Sequence, residues 1–170
     1  MAYDFDGSAG NIGKFTPVAA QQSLTTLSLA AWVWRDGGGE LGYGRILGVQ
    51  NNLDAFEVLK FENDNADIGF GLVFSRRWTA DAKWSVDYPI NGAWNHYLWT
   101  YDGSSTTNDP ICYKNGSSVT VTERVAPTGS IDNAANSWNS INLGNYSGET
   151  VTWNGNLCEW ALWNRVLTAG

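Results

Sequence analysis

Turn-forming residues, above all Gly and Asn, divide this chain into short apolar or alternating runs, each about the length of a β-strand. The runs cover residues 24–34, 44–49, 56–61, 68–74, 84–90, 94–101, 110–114, 118–122, 140–143 and 157–163. Apolar residues nowhere keep helical spacing across a dozen positions. The pattern therefore predicts an all-β fold in which roughly ten to twelve strands form two packed antiparallel sheets, a β-sandwich.

Two of these runs predict details of strand pairing. Asn115-Gly116 separates ICYK from SSVTVT, and Asn-Gly is favoured in type I′ hairpin turns because both central residues need positive φ. Alternation along residues 94–101 places bulky side chains on both faces of one strand. We therefore expect a hairpin at Asn115-Gly116 and a central position for the strand at 94–101.

Length, composition and charge limit the class of protein. The 170 residues suit one domain over 1–170, and a content of 19 Gly with only 16% charged residues suits strands joined by polar turns. The net charge of −7 repels a phosphate backbone. No apolar stretch reaches the roughly 18 residues of a membrane span, and the N-terminus does not resemble a signal peptide. We expect neither nucleic-acid binding nor membrane insertion.

Three segments, taken in order, resemble the laminin-G-like jelly-roll family of the concanavalin A-like lectin and glucanase superfamily. They are LSLAAWVWRD with GRILGV, GAWNHYLWTYDGS with CYKNG, and WNGNLCEWALWNRVLTAG. The resemblance spans nearly the whole chain and implies a concanavalin A-like jelly roll, a fold that serves binding, adhesion and assembly. It also implies a domain truncated at its C-terminus, because the family tends to continue beyond the Leu-Thr tail. Cys158 stands where the family commonly has Asp, ahead of Glu159, which puts any role of that acid in doubt.

The ten tryptophans raise the question of core packing against ligand stacking. Six fall in predicted strands and are assigned to the jelly-roll framework: Trp32, Trp34, Trp94, Trp99, Trp160 and Trp163. Trp138 and Trp153 have Asn-, Ser- and Gly-rich neighbours and are predicted to stack on a carbohydrate. Arg76, Arg77 and Trp78, with Trp84 beside Lys83, form a predicted patch for an acidic sugar or a partner's carboxylates, unless the Arg stems merely cover indole rings.

Acidic residues suggest two further chemistries. Asp4 with Asp6, and Asp64 with Asp67, are candidate calcium ligands, since a hard cation takes six to eight oxygen donors. The spacing Glu62-x-Asp64-x-x-Asp67 is similar to a motif of laminarinase-type hydrolases, although a solvated turn explains it better.

The resulting hypothesis is a non-catalytic recognition module for a glycan or cell-surface polysaccharide, located outside the cell or on a virion surface. One alternative is a phage or virion structural or decoration protein that contacts other virion or surface proteins. The second is a glycoside hydrolase related to laminarinases. His96, the sole histidine, is predicted to be structural rather than catalytic. Whether Cys112 and Cys158 pair is left open.

Overall fold

A computed structural model describes residues 1–51, 57–63, 71–89, 91–131, 138–146 and 148–168. Strands dominate these residues; two 3₁₀ turns, Ala19–Gln21 and Glu40–Gly42, are the helical segments among them. The strands are β1 (Tyr3–Asp6), β2 (Gly13–Phe15), β3 (Thr26–Arg35), β4 (Arg45–Asn51), β5 (Glu57–Asn63), β6 (Leu72–Arg77), β7 (Asp81–Val86), β8 (Trp94–Asp102), β9 (Ile111–Lys114), β10 (Ser117–Val119), β11 (Thr122–Val125), β12 (Trp138–Leu143) and β13 (Asn154–Trp163). The all-β prediction is confirmed.

The strands form two sheets whose neighbouring strands are all antiparallel. The first sheet has the order β1-β13-β3-β8-β9-β10, and the second has the order β11-β7-β6-β5-β4-β12-β2. β8 lies between β3 and β9, as its two bulky faces predicted. Neither 3₁₀ turn, nor any other helix in the described part of the chain, is long and apolar enough to cross a membrane.

An aromatic cluster joins the two sheets at the centre of the core. Phe74 of β6 stacks on Trp99 of β8 with ring centroids 5.3 Å apart, and it meets Tyr101 edge-on at 5.8 Å. Trp84 of β7 packs against Tyr101 at 5.1 Å. Because these contacts cross from one sheet to the other, burial of the rings stabilises the sandwich as a unit.

The predicted Asn-Gly hairpin is confirmed. β9 and β10 pair with Lys114 opposite Ser117, and φ is 52° at Asn115 and 81° at Gly116. The Asn115 side chain also accepts a hydrogen bond from the His96 backbone N–H at 2.8 Å. This hydrogen bond links the turn of the hairpin to β8.

The two sheets differ in how their outer faces are covered. In β4 the consecutive residues Ile46 and Leu47 are both fully buried, so both faces of the second sheet are covered there. On the first sheet, the segment after β13 covers one end of the outer face: the Ser28 hydroxyl donates to the Arg165 carbonyl and accepts from the Leu167 N–H. The other end of that face carries the candidate site.

Both cysteines are free thiols. Cys112 is buried opposite Trp99 on the inner face of the first sheet, whereas Cys158 is half-buried opposite Trp32 on the outer face. Burial raises the pKa of the Cys112 thiol. Because the two side chains lie on opposite faces of one sheet, they do not form a disulfide in this structure.

Candidate functional site

The tryptophans that we expected to be exposed are buried. The exposed fraction is 4% for Trp78, 2% for Trp138 and 0% for Trp84 and Trp153. The indole N–H groups of Trp78 and Trp84 donate to the Tyr101 hydroxyl and to Asp109, at 3.1 and 2.8 Å. A ring enclosed in this way cannot stack on a sugar, so the expectation that these four side chains are available to a ligand is wrong.

The expected basic patch is also absent as a single surface. Arg76 is fully buried. Its guanidinium lies 5.5 Å from the centroid of the Trp138 ring and donates a hydrogen bond to the Leu24 carbonyl. Arg77 points to the opposite face of β6, where it pairs with Asp81 at 3.0 Å. Alternation along a strand separates the two guanidinium groups, so they cannot share one ligand.

The two pairs of predicted calcium ligands have different outcomes. Asp6 uses its carboxylate within the turn after β1, where Ser8 and Asn11 donate to it, and those hydrogen bonds lower its pKa. Asp4 is exposed and lies near Asn156. Across the described residues, no three His, Cys, Asp or Glu side chains are grouped to hold a metal. The calcium role of Asp4 and Asp6 therefore stays a prediction, without a third acidic, His or Cys side chain grouped with them among these residues.

The remaining two calcium candidates, Asp64 and Asp67, lie outside the described residues. For Glu62 the structure describes only the backbone, in β5. The calcium and hydrolase hypotheses built on this segment therefore stay predictions.

The outer face of the first sheet instead presents an aromatic surface that we call the aromatic platform: Trp32 and Trp34 of β3 with Trp94 and His96 of β8. Ala31 and Val33, which alternate with the two β3 members along the strand, are buried in the core. Trp94 is 38% exposed, and the other three side chains are half-buried. Exposed, adjacent Trp side chains need an explanation that core packing does not give.

The register between β3 and β8 places the four side chains of the platform in two facing pairs. Trp34 lies directly opposite Trp94 and Trp32 directly opposite His96. The ring centroids are 5.8 and 5.3 Å apart in these two pairs. Asp36 accepts a hydrogen bond from the Trp34 indole N–H at 2.9 Å, which fixes that ring. Cross-strand aromatic pairs of this kind stabilise one arrangement of the rings.

A β-bulge in β13 places Glu159 at the border of the platform. Cys158 pairs with Trp32 and Ala161 with Ala30, so β13 carries one extra residue between these pairs. Glu159 takes up that residue with a left-handed φ of 49°, and its side chain is exposed. Bulges commonly redirect a side chain beside a functional site.

An open pocket of about 330 Å³ lies on this surface, lined by Trp32, Trp94, Cys158 and Glu159. It combines two indole rings with one carboxylate. Trp rings offer flat apolar faces of the kind that stack on a sugar ring, and a carboxylate accepts hydrogen bonds from hydroxyl groups. The pocket can therefore hold a small polar ligand that has an apolar face.

Two titratable groups next to this pocket have shifted pKa values. Burial lowers the pKa of His96, and the negative charge of Glu159 opposes that shift. Burial and the Glu159 charge both raise the pKa of Cys158. Cys158 is therefore a protonated thiol near neutral pH rather than an activated nucleophile.

Our sequence interpretation placed the platform tryptophans in the framework and so missed them as ligand-binding candidates. The segment Ala31-Trp32-Val33-Trp34 contained part of the signal, because its alternation places both tryptophans on one face without showing which face is open. Small or aliphatic residues alternate there with tryptophan, and a strand buries one of its two faces. In the structure Ala31 and Val33 face the core, so both indole rings lie on the outer face of the sheet.

The two packed antiparallel sheets form a β-sandwich with the aromatic platform on one outer face. The chain belongs to the concanavalin A-like lectin/glucanases superfamily, because the laminin G-like family model of that superfamily matches residues 8–170. A search of curated protein sequences gave no match.

Several solved structures share the fold at low sequence identity. A heptameric SAP-like pentraxin from Limulus polyphemus is 17% identical with a TM-score of 0.66, over 99% of this chain and 77% of the pentraxin. The CBM40 domain of Ruminococcus gnavus IT-sialidase, bound to α2,3 sialyllactose, is 11% identical with a TM-score of 0.65, over 99% and 94% of the two chains. The NanB sialidase of Streptococcus pneumoniae is 14% identical with a TM-score of 0.66, over 98% of this chain but 26% of the enzyme.

Proposed function

We propose that this protein is a non-catalytic carbohydrate-recognition module whose ligand stacks on the aromatic platform. The observation that carries the proposal is the arrangement of Trp32, Trp34 and Trp94 on one open sheet face, with Trp94 38% exposed. The CBM40 domain of similar fold that was solved with sialyllactose supports a glycan as the class of ligand. A cell-surface polysaccharide fits this proposal, with the protein acting outside the cell or on a virion surface.

The pocket chemistry supports binding without cleavage. Glycoside hydrolysis by the usual mechanisms needs two carboxyl groups on either side of the scissile bond, about 5–5.5 Å apart in retaining enzymes. Among the described residues that line the pocket, Glu159 supplies one carboxylate. The half-buried His96 packs against Trp32 with its ring tilted by 56°, which suits a structural role better than proton transfer.

Glycan-array screening followed by calorimetry on the wild-type protein and two single variants tests the proposal. Trp32→Ala and Trp94→Ala should each weaken binding at least about tenfold, since about 1.4 kcal/mol of lost stacking corresponds to that factor. Trp163→Ala is the matched control. Trp163 of β13 lies opposite Ser28 on the same outer face. Ser28 is about 13 Å from Trp32 along β3, at roughly 3.3 Å per residue. Absence of binding to any glycan, or equal losses in all three variants, would refute the proposal.

A further inference from the structure

The platform pocket has the composition of a site for an organic cation. Its described lining consists of two indole rings, one thiol and the Glu159 carboxylate. Indole faces attract ammonium groups through the ring quadrupole, and a carboxylate beside them adds a charged hydrogen-bond acceptor. Lys and Arg do not occur among the described residues that line it.

The surroundings are mainly negative, and the Met1 ammonium, the cation that acts on Cys158, has a smaller effect there than Glu159. Asp36 lies at the edge of the platform, where it accepts a hydrogen bond from the Trp34 indole N–H. The chain as a whole carries a net charge of −7. His96 contacts the Trp32 ring beside the pocket, and burial lowers its pKa, so it contributes no full positive charge near neutral pH. Arg165 belongs to the segment that covers Ser28, at the far end of the outer face.

We propose that the aromatic platform selects amino sugars that carry a free, protonated amine, with the ammonium group between Trp32, Trp94 and Glu159. This inference rests on the proposed function and specifies its ligand. It also predicts discrimination against acidic sugars, because a sugar carboxylate in this pocket would lie beside the Glu159 carboxylate, whose charge acts on the pocket more strongly than that of the Met1 ammonium. The ligand preference would therefore differ from that of the CBM40 domain, which was solved with sialyllactose.

Calorimetry near neutral pH and at low salt, with three oligosaccharides, tests the inference. A glucosamine tetramer supplies the cation, its fully N-acetylated counterpart has the same backbone without charge, and sialyllactose supplies an acid. The cationic tetramer should bind about fivefold to tenfold more tightly than the neutral one, in keeping with an exposed cation–π contact and one exposed charge pair. Sialyllactose should bind more weakly than both.

Two charge-removing variants separate a local effect from a global one. Glu159→Gln should bring the ratio of cationic to neutral affinity close to one, and the neutral tetramer should still bind, because the Gln amide oxygen also accepts hydrogen bonds from hydroxyl groups. Glu149→Gln is the matched control, because Glu149 also has a left-handed φ, of 61°, but pairs with Lys14 of β2 in the second sheet. That variant removes the same formal charge and should keep the preference.

The outcomes distinguish this inference from the proposed function. If the neutral tetramer binds, loses affinity in Trp94→Ala and shows no cationic preference, the amino-sugar inference is wrong while glycan recognition on the platform stands. An equal loss of preference in Glu159→Gln and Glu149→Gln would also overturn the inference, since net charge alone would then explain it. If none of the three oligosaccharides binds, the inference fails, and the proposed function fails with it where the glycan array also shows no binding.

Discussion

Tryptophan has two distinct roles in this protein, and the structure assigns them by position rather than by neighbours in the sequence. Trp153 is fully buried and donates its indole N–H to the Trp34 carbonyl at 3.1 Å. Trp94 is 38% exposed on the platform. Its ring therefore loses fewer packing contacts on truncation than a core ring does. The two residues should respond differently to the same substitution.

Truncation of each of these residues tests that difference in urea denaturation. Trp153→Ala should lower the free energy of unfolding by about 3–5 kcal/mol, because it leaves a cavity and an unpaired carbonyl. Trp94→Ala should cost less than about 1.5 kcal/mol, since solvent fills the vacated space. Trp153→Phe, which keeps most of the volume, should fall between these values. Similar losses for Trp153→Ala and Trp94→Ala would contradict the assignment of one to the core and the other to the surface.

His96 gives a second prediction, which NMR can follow through the single histidine of the chain. Burial lowers the pKa of the folded imidazole below 6.5, whereas the Glu159 charge raises it. The titration midpoint should therefore lie below 6.5 and move lower still in Glu159→Gln. Below about pH 6.5 the unfolded chain binds this proton more readily, so the His96 contribution lowers stability as the pH falls and is constant above that pH. A midpoint above 6.5 would refute this account.

At the scale of elements, local sequence predicted the central strands well and the edge strands poorly. β3, β8 and β13 have long apolar or alternating runs, and each lies close to its predicted position. β1 and β2 were not predicted, because strands of four and three residues are too short to show a clear alternation of apolar and polar side chains. The predicted strand at 118–122 is in fact the end of one strand, β10, and the start of another, β11, in the opposite sheet.

The candidate site was harder to predict than the fold, because sheet topology decides which strand face is open. Trp138 and Trp153 have polar sequence neighbours, but both rings lie in the core. Alternation in β3 separates two residue sets without stating which set faces the second sheet. Glu159 reaches the platform through a bulge, and a one-residue insertion in the pairing leaves no periodic trace in the sequence.

The β9–β10 hairpin provides a prediction at this scale, because its turn also contacts β8. Asn115→Ala should lower the free energy of unfolding by about 1–2 kcal/mol, since alanine tolerates the left-handed φ poorly and cannot accept from the His96 N–H. Asn115→Gly keeps the backbone freedom and loses only the side-chain contacts, so its cost should be about half as large. Thermal and urea denaturation measure both variants. An equal cost for Ala and Gly would assign the whole effect to the hydrogen bond.

At the scale of the whole molecule, the sandwich depends on one aromatic cluster shared by both sheets. Phe74 and Trp84 come from the second sheet, and Trp99 and Tyr101 come from the first. All four side chains are at least 99% buried. Neither sheet can keep its inner face covered if the other separates, so the two sheets should unfold together.

Phe74→Ala tests this coupling, because Phe74 contacts cluster members on both sheets. The variant should lose about 3–5 kcal/mol of unfolding free energy and still unfold in one transition. Far-UV circular dichroism reports the strands and tryptophan fluorescence reports the core, and the two curves should coincide in urea. Ile111→Ala is the control, since Ile111 is 47% exposed on β9 and its truncation should change stability by no more than about 0.5 kcal/mol. Separate transitions in the two signals would show that one sheet stays folded without the other, and the shared core would then not be what holds the sandwich together.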